Sequence, residues 1–400
     1  MSLFSFYNSG KAEEVSAVFH IGSGNVCGYL VKLSKISKPE IIYEIKVPVS
    51  FQKSIDPERY FKLMLKAFDS ALQDIQKQGL SHLNFTGWRN HGIRNVFYAL
   101  SSPWCVSQTK IIKIKKDKPF EISIDSIEGV ISGEEKKFLS GDSTESSKII
   151  EKKIIEAKLN GYKMTEIYGK KAKDIELAFF VTLAPEYVLK EVKDAGRKYF
   201  NFRSSNFHSF ALSSFSAIRE IYSDKENFMF IDVHGELTDL SVIKDSVLVE
   251  NFSFPEGKNF FTRNVSEKLL ISGDESCSLI KMHISDKCDK ATSQKVQGAI
   301  EDALKNWFNK FHSILASLSF HMYVPRTIFM TVDDEFGAFL VKKLKEDRFS
   351  QFSMTDEPFD VIVLDGKSFR EHCKSDKSFR EEPFAELECV FLNKIFNATK

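Results

Sequence analysis

Two glycine-bearing turns, far apart in the chain, have residue types that suit phosphate binding. The first turn, Gly22-Ser23-Gly24, lies between the apolar segments 15–21 and 26–33. The second turn, His234-Gly235-Glu236, lies between the apolar segments 228–233 and 237–243. Glycine has no Cβ, so the backbone N–H groups of such turns can face a phosphate closely. The two turns therefore predict two related lobes that close on one cleft.

Strands and helices must position these turns. Each turn joins two apolar, β-prone runs, which predicts a β-hairpin at 15–34 and another at 228–243. Helical spacing of apolar residues predicts a helix that begins at Pro57. The same reasoning predicts strands at 41–47, 95–101, 105–116, 178–183, 247–254, 327–332 and 359–364, and helices at 185–200, 261–271, 294–320, 334–345 and 383–396. The alternation of strands and helices indicates an α/β class.

Residues 119–203 form a separate module between the hairpins. A helix is predicted after Ser123 or Asp125, and a second helix is predicted over Lys148–Ala157. Before this module, the chain carries a basic run at Lys110, Lys113, Lys115, Lys116 and Lys118. We interpret this run as a solvated strand end, with an anion contact as the alternative.

Composition excludes several classes of function. The chain has 400 residues, 42% of them hydrophobic, and a net charge of +1, which suits two globular domains and gives no case for nucleic acid binding. Its six cysteines and nine histidines show no metal-ligand spacing, so we expect reduced thiols in the cytoplasm and no metal site. The longest apolar run falls far short of the roughly 20 residues of a membrane span, so no integral membrane segment is expected.

The order of elements, together with Asp232, Gly235, Thr238 and the Pro255–Gly257 turn, resembles the actin-like ATPase superfamily. Within it, the layout over residues 15–396 is most similar to the FtsA and PilM branch. The resemblance implies a two-lobed actin/Hsp70-like (RNase H-like) α/β fold with an inserted SHS2-like α+β subdomain.

The resemblance also implies domain boundaries. Lobe I would comprise 12–117 and 204–226. The inserted subdomain, similar to subdomain 1C of FtsA, would comprise 118–203. Lobe II would comprise 227–398, with a small helical insertion near 264–300 that is similar to subdomain 2B.

In this superfamily ATP and Mg²⁺ lie between the lobes. If a nucleotide binds to this chain, the resemblance implies contacts from residues of both hairpins and of the helices that follow the second one. These residues are Gly22, Ser23, Gly24, Asp232, Gly235, Thr238, Gly257 and Lys281.

Four regions depart from the superfamily pattern. His20 stands where the resemblance implies an acidic residue for Mg²⁺, which prefers oxygen ligands. Glu236 would repel a phosphate ~4 Å away by about 4 kcal/mol. Ser278 replaces a glutamate of the base-binding helix, and Val332-Asp333-Asp334 replaces a double glycine. We therefore predict a pseudo-ATPase with no catalytic residue and no cofactor. The alternative is an FtsA-like ATPase that binds ATP and Mg²⁺ and whose polymerisation or partner binding depends on nucleotide.

The resemblance implies a scaffold or adaptor role in a bacterial cell-division or type IV pilus-type assembly. We expect protein partners, self-association through the inserted subdomain, and a cytoplasmic location that partners can bring to the inner face of the membrane. The apolar pattern at 383–396 is interpreted as a core helix, because Glu381, Glu382, Glu386 and Glu388 disfavour an anchor on anionic lipid.

Overall fold

The computed structural model describes residues 12–85, 93–139, 146–332, 334–346, 352, 357–375 and 383–398. Its strands are β1 Glu13–Ile21, β2 Asn25–Ser34, β3 Glu40–Pro48, β4 Asn95–Leu100, β5 Val106–Glu121, β6 Ser147–Leu159, β7 Tyr162–Lys163, β8 Lys171–Pro185, β9 Ser204–Ser209, β10 Phe228–Val233, β11 Thr238–Lys244, β12 Val247–Phe254, β13 Thr327–Thr331, β14 Asp360–Val363 and β15 Lys374–Ser375.

The helices vary widely in length, and the first continues into one π-helical turn, Ile75–Gly79. They are α1 Pro57–Asp74, α2 Leu80–Phe85, α3 Ile124–Leu139, α4 Glu186–Tyr199, α5 Phe210–Ile221, α6 Lys258–Leu269, α7 Gly273–Ile284, α8 Lys290–Ser319, α9 Asp334–Glu346, α10 Gly366–Phe369 and α11 Pro383–Ala398.

Two of the sheets follow one plan. The lobe I sheet has the order β15-β3-β2-β1-β4-β9, and the lobe II sheet has the order β12-β11-β10-β13-β14. In each lobe, a hairpin and a third antiparallel strand are followed by parallel strands on the other side of the first strand. The repeated plan confirms the predicted α/β fold with two related lobes.

One hydrophobic core lies between the two sheets. It combines side chains of β1, β2 and β4 with side chains of β10, β11 and β13, and α5 and α11 fill the space between them. On α11, Leu387 and Cys389 are fully buried, and Glu388 is buried as well. The terminal helix thus belongs to the core, as the acidic residues of its sequence indicated.

The inserted subdomain is a four-stranded sheet of order β5-β8-β6-β7 with α3 packed on it. The predicted helix over Lys148–Ala157 is wrong, because this segment lies in strand β6. Its register shifts between Ile149 and Glu151 and again between Ile154 and Glu156. Each β-bulge interrupts the alternation of side chains, so the apolar pairs follow no period of two.

The subdomain sheet starts earlier than residue 118, because β5 already pairs with β8 from Val106 opposite Leu183. It ends earlier than residue 203, because α4 buries Val188 and Val192 in the lobe I core beside α1. The subdomain also touches lobe II, where the Thr109 hydroxyl donates to the carbonyl oxygen of Leu248 over 2.6 Å. It therefore bridges the two lobes.

Carboxylates of the subdomain neutralise much of the basic run on β5. Glu134 lies 3.4 Å from the Lys110 ammonium, and Asp174 lies 3.7 Å from that of Lys115. The Lys116 ammonium lies over the Phe120 ring at 4.0 Å. These contacts agree with the interpretation of the run as a solvated strand end. Among the described residues, no helix has the length and apolar character needed to span a membrane.

Candidate functional site

The two glycine turns touch each other through their backbones. A Cβ built on Gly235 would lie 2.3 Å from the Cα of Gly24, and one built on Gly24 would lie 2.7 Å from the Cα of Gly235. The backbone N–H of Glu236 donates to the Ser23 hydroxyl oxygen over 3.0 Å. Glycine is required at both positions because any side chain would collide with the opposite turn. The glycines thus permit contact between the lobes.

The polar groups of the first turn have partners within the protein. The backbone N–H of Gly22 donates to the carbonyl oxygen of Asn25 over 3.1 Å. The Trp104 indole N–H donates to the Gly22 carbonyl oxygen over 3.1 Å, and the Tyr60 hydroxyl donates to that of Ser23. Burial raises the pKa of Tyr60, which keeps its hydroxyl protonated as a donor.

The second turn uses the N-terminus of α6. Backbone N–H groups at such a terminus commonly bind anions. Here those of Lys258 and Asn259 donate to the carbonyl oxygens of His234 and Gly235, over 2.8 and 2.7 Å. A Cβ on Gly257 would lie 2.6 Å from that same His234 oxygen. The hairpin turn therefore takes these α6 donors that a phosphate would otherwise use.

Glu236 is buried in an ion pair. Its Oε2 lies 2.6 Å from Nη2 of Arg263, and its Oε1 accepts from the Asn259 side-chain amide over 2.7 Å. Arg263 also donates through Nη1 to the carbonyl oxygen of Gln52 in lobe I, over 3.3 Å. The Arg263 guanidinium lies 5.9 Å from the centre of the Phe51 ring, which packs against Gly273 at the start of α7. This cluster joins the lobes on one side of the turns.

Aromatic rings fill the space beside the turns. The His20 ring stacks on Phe384 with centroids 4.8 Å apart and lies 4.7 Å from Phe210. Its Nε2 lies 2.8 Å from the Ser101 hydroxyl. Burial, and next the charge of His234, hold the pKa of His20 well below its usual range, so the imidazole is neutral. A neutral imidazole in an aromatic stack cannot supply the oxygen ligand that Mg²⁺ prefers.

The carboxylate of Asp232 also has partners within the protein. The Thr331 hydroxyl donates to its Oδ1 over 2.6 Å, and its Oδ2 contacts Nε2 of His234. Asp232 and Asp239 line a cavity of about 320 Å³ between the lobes. Burial raises the pKa of Asp239, whose carboxylate accepts from the Ser253 hydroxyl. The lining of this cavity therefore includes two carboxyl groups.

Seven of the eight predicted nucleotide contacts lie at or beside the touching turns, and Lys281 does not. Thr238 is buried, and its hydroxyl donates to the carbonyl oxygen of Glu256 over 2.8 Å. Lys281 is exposed on α7, as is Ser278, whose hydroxyl donates to the carbonyl oxygen of Asp274. Asp333 lies outside the described residues.

The backbones of the two turns are in contact, and the N–H groups of Gly22 and Glu236 donate to groups within the turns. Within the described ranges, His, Cys, Asp and Glu form no cluster of three or more that could hold a metal ion. The contacts around the two turns also involve Arg263, Trp104 and Phe51. The sequence did not predict these three residues. No sequence motif described above includes any of these three residues.

A second opening lies between the inserted subdomain and lobe I. It is a groove of about 1000 Å³ with walls from β6, α4 and β9. Five of its lining side chains are basic. They are Lys148, Lys193, Arg197, Lys198 and Arg203. We refer to it as the basic groove.

No protein-family model matches the sequence, and neither does any curated protein. Among solved structures, a PilM–PilN type IV pilus biogenesis complex is similar, with a TM-score of 0.61, 12% identity, and coverage of 96% of this chain and 98% of the other. EutJ, an ethanolamine utilization protein from Carboxydothermus hydrogenoformans, has a TM-score of 0.42, 10% identity, and coverage of 97% and 90%. A Bacteroides thetaiotaomicron protein with an actin-like ATPase fold and unknown function has a TM-score of 0.39, 9% identity, and coverage of 89% and 93%.

The likeness to the PilM structure extends over nearly the full length of both chains. With the repeated sheet plan, it shows that this chain has the actin-like ATPase fold. The SHS2 assignment of the inserted subdomain and the relation to FtsA stay predictions.

Proposed function

We propose that this chain is an actin-fold adaptor that works as a pseudo-ATPase. The observation that carries the proposal is the backbone contact between Gly24 and Gly235. The actin-like fold uses the space between these turns for a triphosphate, and here the opposite lobe fills it. In this proposal, the actin-like fold serves as a shape that presents surfaces for protein contacts.

Rigid ties between the lobes support an adaptor that does not cycle. The Arg263–Glu236 ion pair and Phe51 connect the lobes beside the turns. The hydrophobic core that both lobes share, which includes α5 and α11, connects them as well. The inserted subdomain adds the Thr109 contact to β12. A nucleotide-driven opening would have to break all of these contacts together.

The partner we propose is a protein of a type IV pilus-type assembly. PilM, in a complex with PilN, is the solved structure whose likeness shows the fold. We favour this assembly over cell division for that reason. The adaptor would act in the cytoplasm and reach the inner face of the membrane through its partner. The partner would dock in the basic groove. Unlike the cleft between the turns, this groove is open.

Calorimetric titration of the full chain with Mg-ATP and Mg-ADP tests the pseudo-ATPase proposal. We expect no binding heat up to millimolar nucleotide. A low-micromolar dissociation constant would instead support the alternative, a nucleotide-dependent ATPase. The same titration of the Glu236→Gly, His20→Asp double variant tests whether the fold can bind a nucleotide once these two side chains are replaced.

Affinity purification from the native cells tests the adaptor role. We expect the tagged chain to bring down a PilN-like protein, and an FtsZ-like protein would move the proposal to cell division. Self-association through the inserted subdomain is a separate prediction. Analytical ultracentrifugation of the chain over a concentration series checks it.

A further inference from the structure

The cavity of about 320 Å³ between the lobes holds a carboxylate that lacks a cationic partner in its lining. We refer to it as the interlobe cavity. The carboxylate is that of Asp239 on β11, which accepts from the Ser253 hydroxyl. No described residue of the lining is a lysine, an arginine or a histidine, and the second carboxylate, Asp232, contacts His234 outside the lining. A positively charged ligand would therefore supply the counter-charge of Asp239.

A second polar group of the interlobe cavity lacks a partner. The side-chain oxygen of Asn251 accepts from the Ser241 hydroxyl over 2.8 Å, but its nitrogen Nδ2 is buried and has no hydrogen-bond partner among the described residues. On the adjoining strands β11 and β12, Asp239 lies opposite Ser253, and Ser241 lies opposite Asn251. These four residues share one face of the sheet, because residues two apart in a strand point to the same side. A buried donor without an acceptor lowers stability, so an oxygen atom of a ligand would improve the site.

Apolar side chains complete the lining of the interlobe cavity. Phe210, Phe230 and Pro103 belong to it, and the centroids of the two phenylalanine rings lie 6.1 Å apart. Aromatic rings attract an ammonium group and pack against carbon chains. The volume of the cavity lies at the lower end of the roughly 300–1,000 Å³ of small-molecule sites. The cavity therefore suits a short carbon chain that carries polar groups.

The interlobe cavity is distinct from the contact between the glycine turns. Of the eight predicted nucleotide contacts, only Asp232 lines it. Its walls come from lobe I through Ser102, from the inserted subdomain through Val106, and from β10, β11 and β12 of lobe II. The Ser102 hydroxyl lies 2.9 Å from that of Ser253, and Val106 and Ser253 are exposed, so the cavity opens to solvent there. A ligand in this position would touch all three parts of the protein.

We propose that the interlobe cavity binds a small organic molecule that carries a protonated amine and a hydroxyl group on a short carbon chain. The ammonium pairs with Asp239, the hydroxyl oxygen accepts from Nδ2 of Asn251, and the carbon chain packs on Phe210 and Phe230. This inference goes beyond the proposed function and depends on neither a partner protein nor a nucleotide. A metal ion is a poorer match, because the described residues provide no cluster of three or more His, Cys, Asp or Glu.

Ligand-detected NMR titration of the full chain tests the proposal. The probes are aminopentanol, pentanediol and hydroxypentanoate, which have the same number of carbons, carry their polar groups at the two ends of the chain, and differ in charge. We expect aminopentanol to bind at least about tenfold more tightly than pentanediol, and hydroxypentanoate not to bind. Equal binding of aminopentanol and pentanediol, tighter binding of hydroxypentanoate, or no binding of aminopentanol at millimolar concentration would overturn the proposal.

Removal of one charge locates the site. Asp239→Asn removes the carboxylate with little change of shape, so it should weaken aminopentanol binding at least about tenfold and leave pentanediol binding unchanged. The matched control is Asp245→Asn, which alters the net charge equally at an exposed position just after β11 and should leave the binding of both ligands unchanged. An unchanged affinity in Asp239→Asn, or an equal loss in the two variants, would contradict the site.

A third variant and a competition experiment complete the test. Ala211→Leu fills part of the interlobe cavity without a change of charge and should abolish the binding of both ligands. Thermal unfolding checks that each variant folds, and aminopentanol should raise the melting temperature of the wild-type chain because it binds the folded state. Undiminished binding to Ala211→Leu, or displacement of aminopentanol by Mg-ATP, would place the amine outside this site and overturn the proposal. If Mg-ATP binds without displacing the amine, the pseudo-ATPase proposal alone fails.

Discussion

The cleft between the glycine turns and the basic groove both border lobe I, and they differ in how they use charge. At the turns, Glu236 and Arg263 face each other, and the backbones of Gly24 and Gly235 are in contact. In the groove, Lys198 and Arg203 face solvent, and the nearby carboxylate Glu151 is buried. The first region uses its charges to hold the lobes together, whereas the second leaves its charges available. Under the proposed function, the groove binds the partner, and the cleft between the turns binds no nucleotide.

The first test of this comparison breaks the ion pair beside the turns. Arg263→Ala leaves the buried Glu236 carboxylate without its cation, which should lower the free energy of unfolding by about 3–5 kcal/mol. The control lies on the same helix, where Lys268 pairs with Asp302 at the surface. Lys268→Ala should cost only about 0–1 kcal/mol. Urea unfolding of both variants gives the two values.

Equal and small losses in the two variants would mean that Glu236 is hydrated and that the cleft is open in solution. In that case the contact between the turns would not describe the dominant state. A large loss for Arg263→Ala alone sharpens the contrast with the groove, where Lys198 and Arg203 are exposed and have no carboxylate partner among the described residues.

The second test adds one methyl group to the contact. Gly235→Ala places a Cβ 2.3 Å from the Cα of Gly24, and backbone cannot move aside as a flexible side chain can. We expect a loss of about 3 kcal/mol. Gly298→Ala on α8 is the control, because nothing lies within 4 Å of its Cβ position, and it should stabilise by about 0.5–1 kcal/mol. Thermal unfolding compares the two, and a tolerated Gly235→Ala would show turns that stand apart.

The sequence predicted the strands and helices around this site better than the contacts between its side chains. Apolar runs around the glycine turns gave both hairpins, and helical spacing gave α1, α8 and α11 near their observed bounds. These signals are local, since each depends on the periodicity of one segment. The strand β6 was missed because its two bulges remove the alternation on which strand prediction depends.

The contact between the turns could not be predicted, because it depends on how the lobes sit against each other. The sequence indicated that Glu236 would repel a phosphate. It did not indicate that Arg263 and Asn259 would hold Glu236 inside the protein. The basic groove was missed for a similar reason, since β6, α4 and β9 bring its residues together from separate segments.

The third test uses pH to probe the rings beside the turns. The pKa of His20 is lowered in the folded state, so below about pH 6.5 the unfolded chain binds a proton that the folded chain refuses. Stability should then fall as pH decreases from about 6.5, by up to about 1.4 kcal/mol per pH unit. His20→Asn should remove this acid-side slope in urea unfolding. An unchanged slope would mean that His20 is hydrated and that the rings do not close on it.

His208 serves as a control, because its contribution to stability changes with pH in the opposite direction. Burial lowers its pKa, but the Glu388 carboxylate 2.7 Å away raises it above the usual value overall. Its contribution is therefore fully present below about pH 6.5 and is lost as pH rises through the folded pKa. His208→Asn should keep the acid-side slope that His20→Asn removes and lose the decline at higher pH.

The fourth test has the smallest expected effect on stability. Lys198→Glu with Arg203→Glu should change the free energy of unfolding by less than about 0.5 kcal/mol, because both side chains are exposed and neither has a carboxylate partner among the described residues. Urea unfolding measures this under the conditions used for Arg263→Ala. A loss of several kcal/mol would show that these cations support the fold, and the groove would then resemble the closed cleft. An unchanged stability with weakened capture of the cellular partner would separate the two regions, because charge at the turns would stabilise the protein and charge in the groove would recognise a partner.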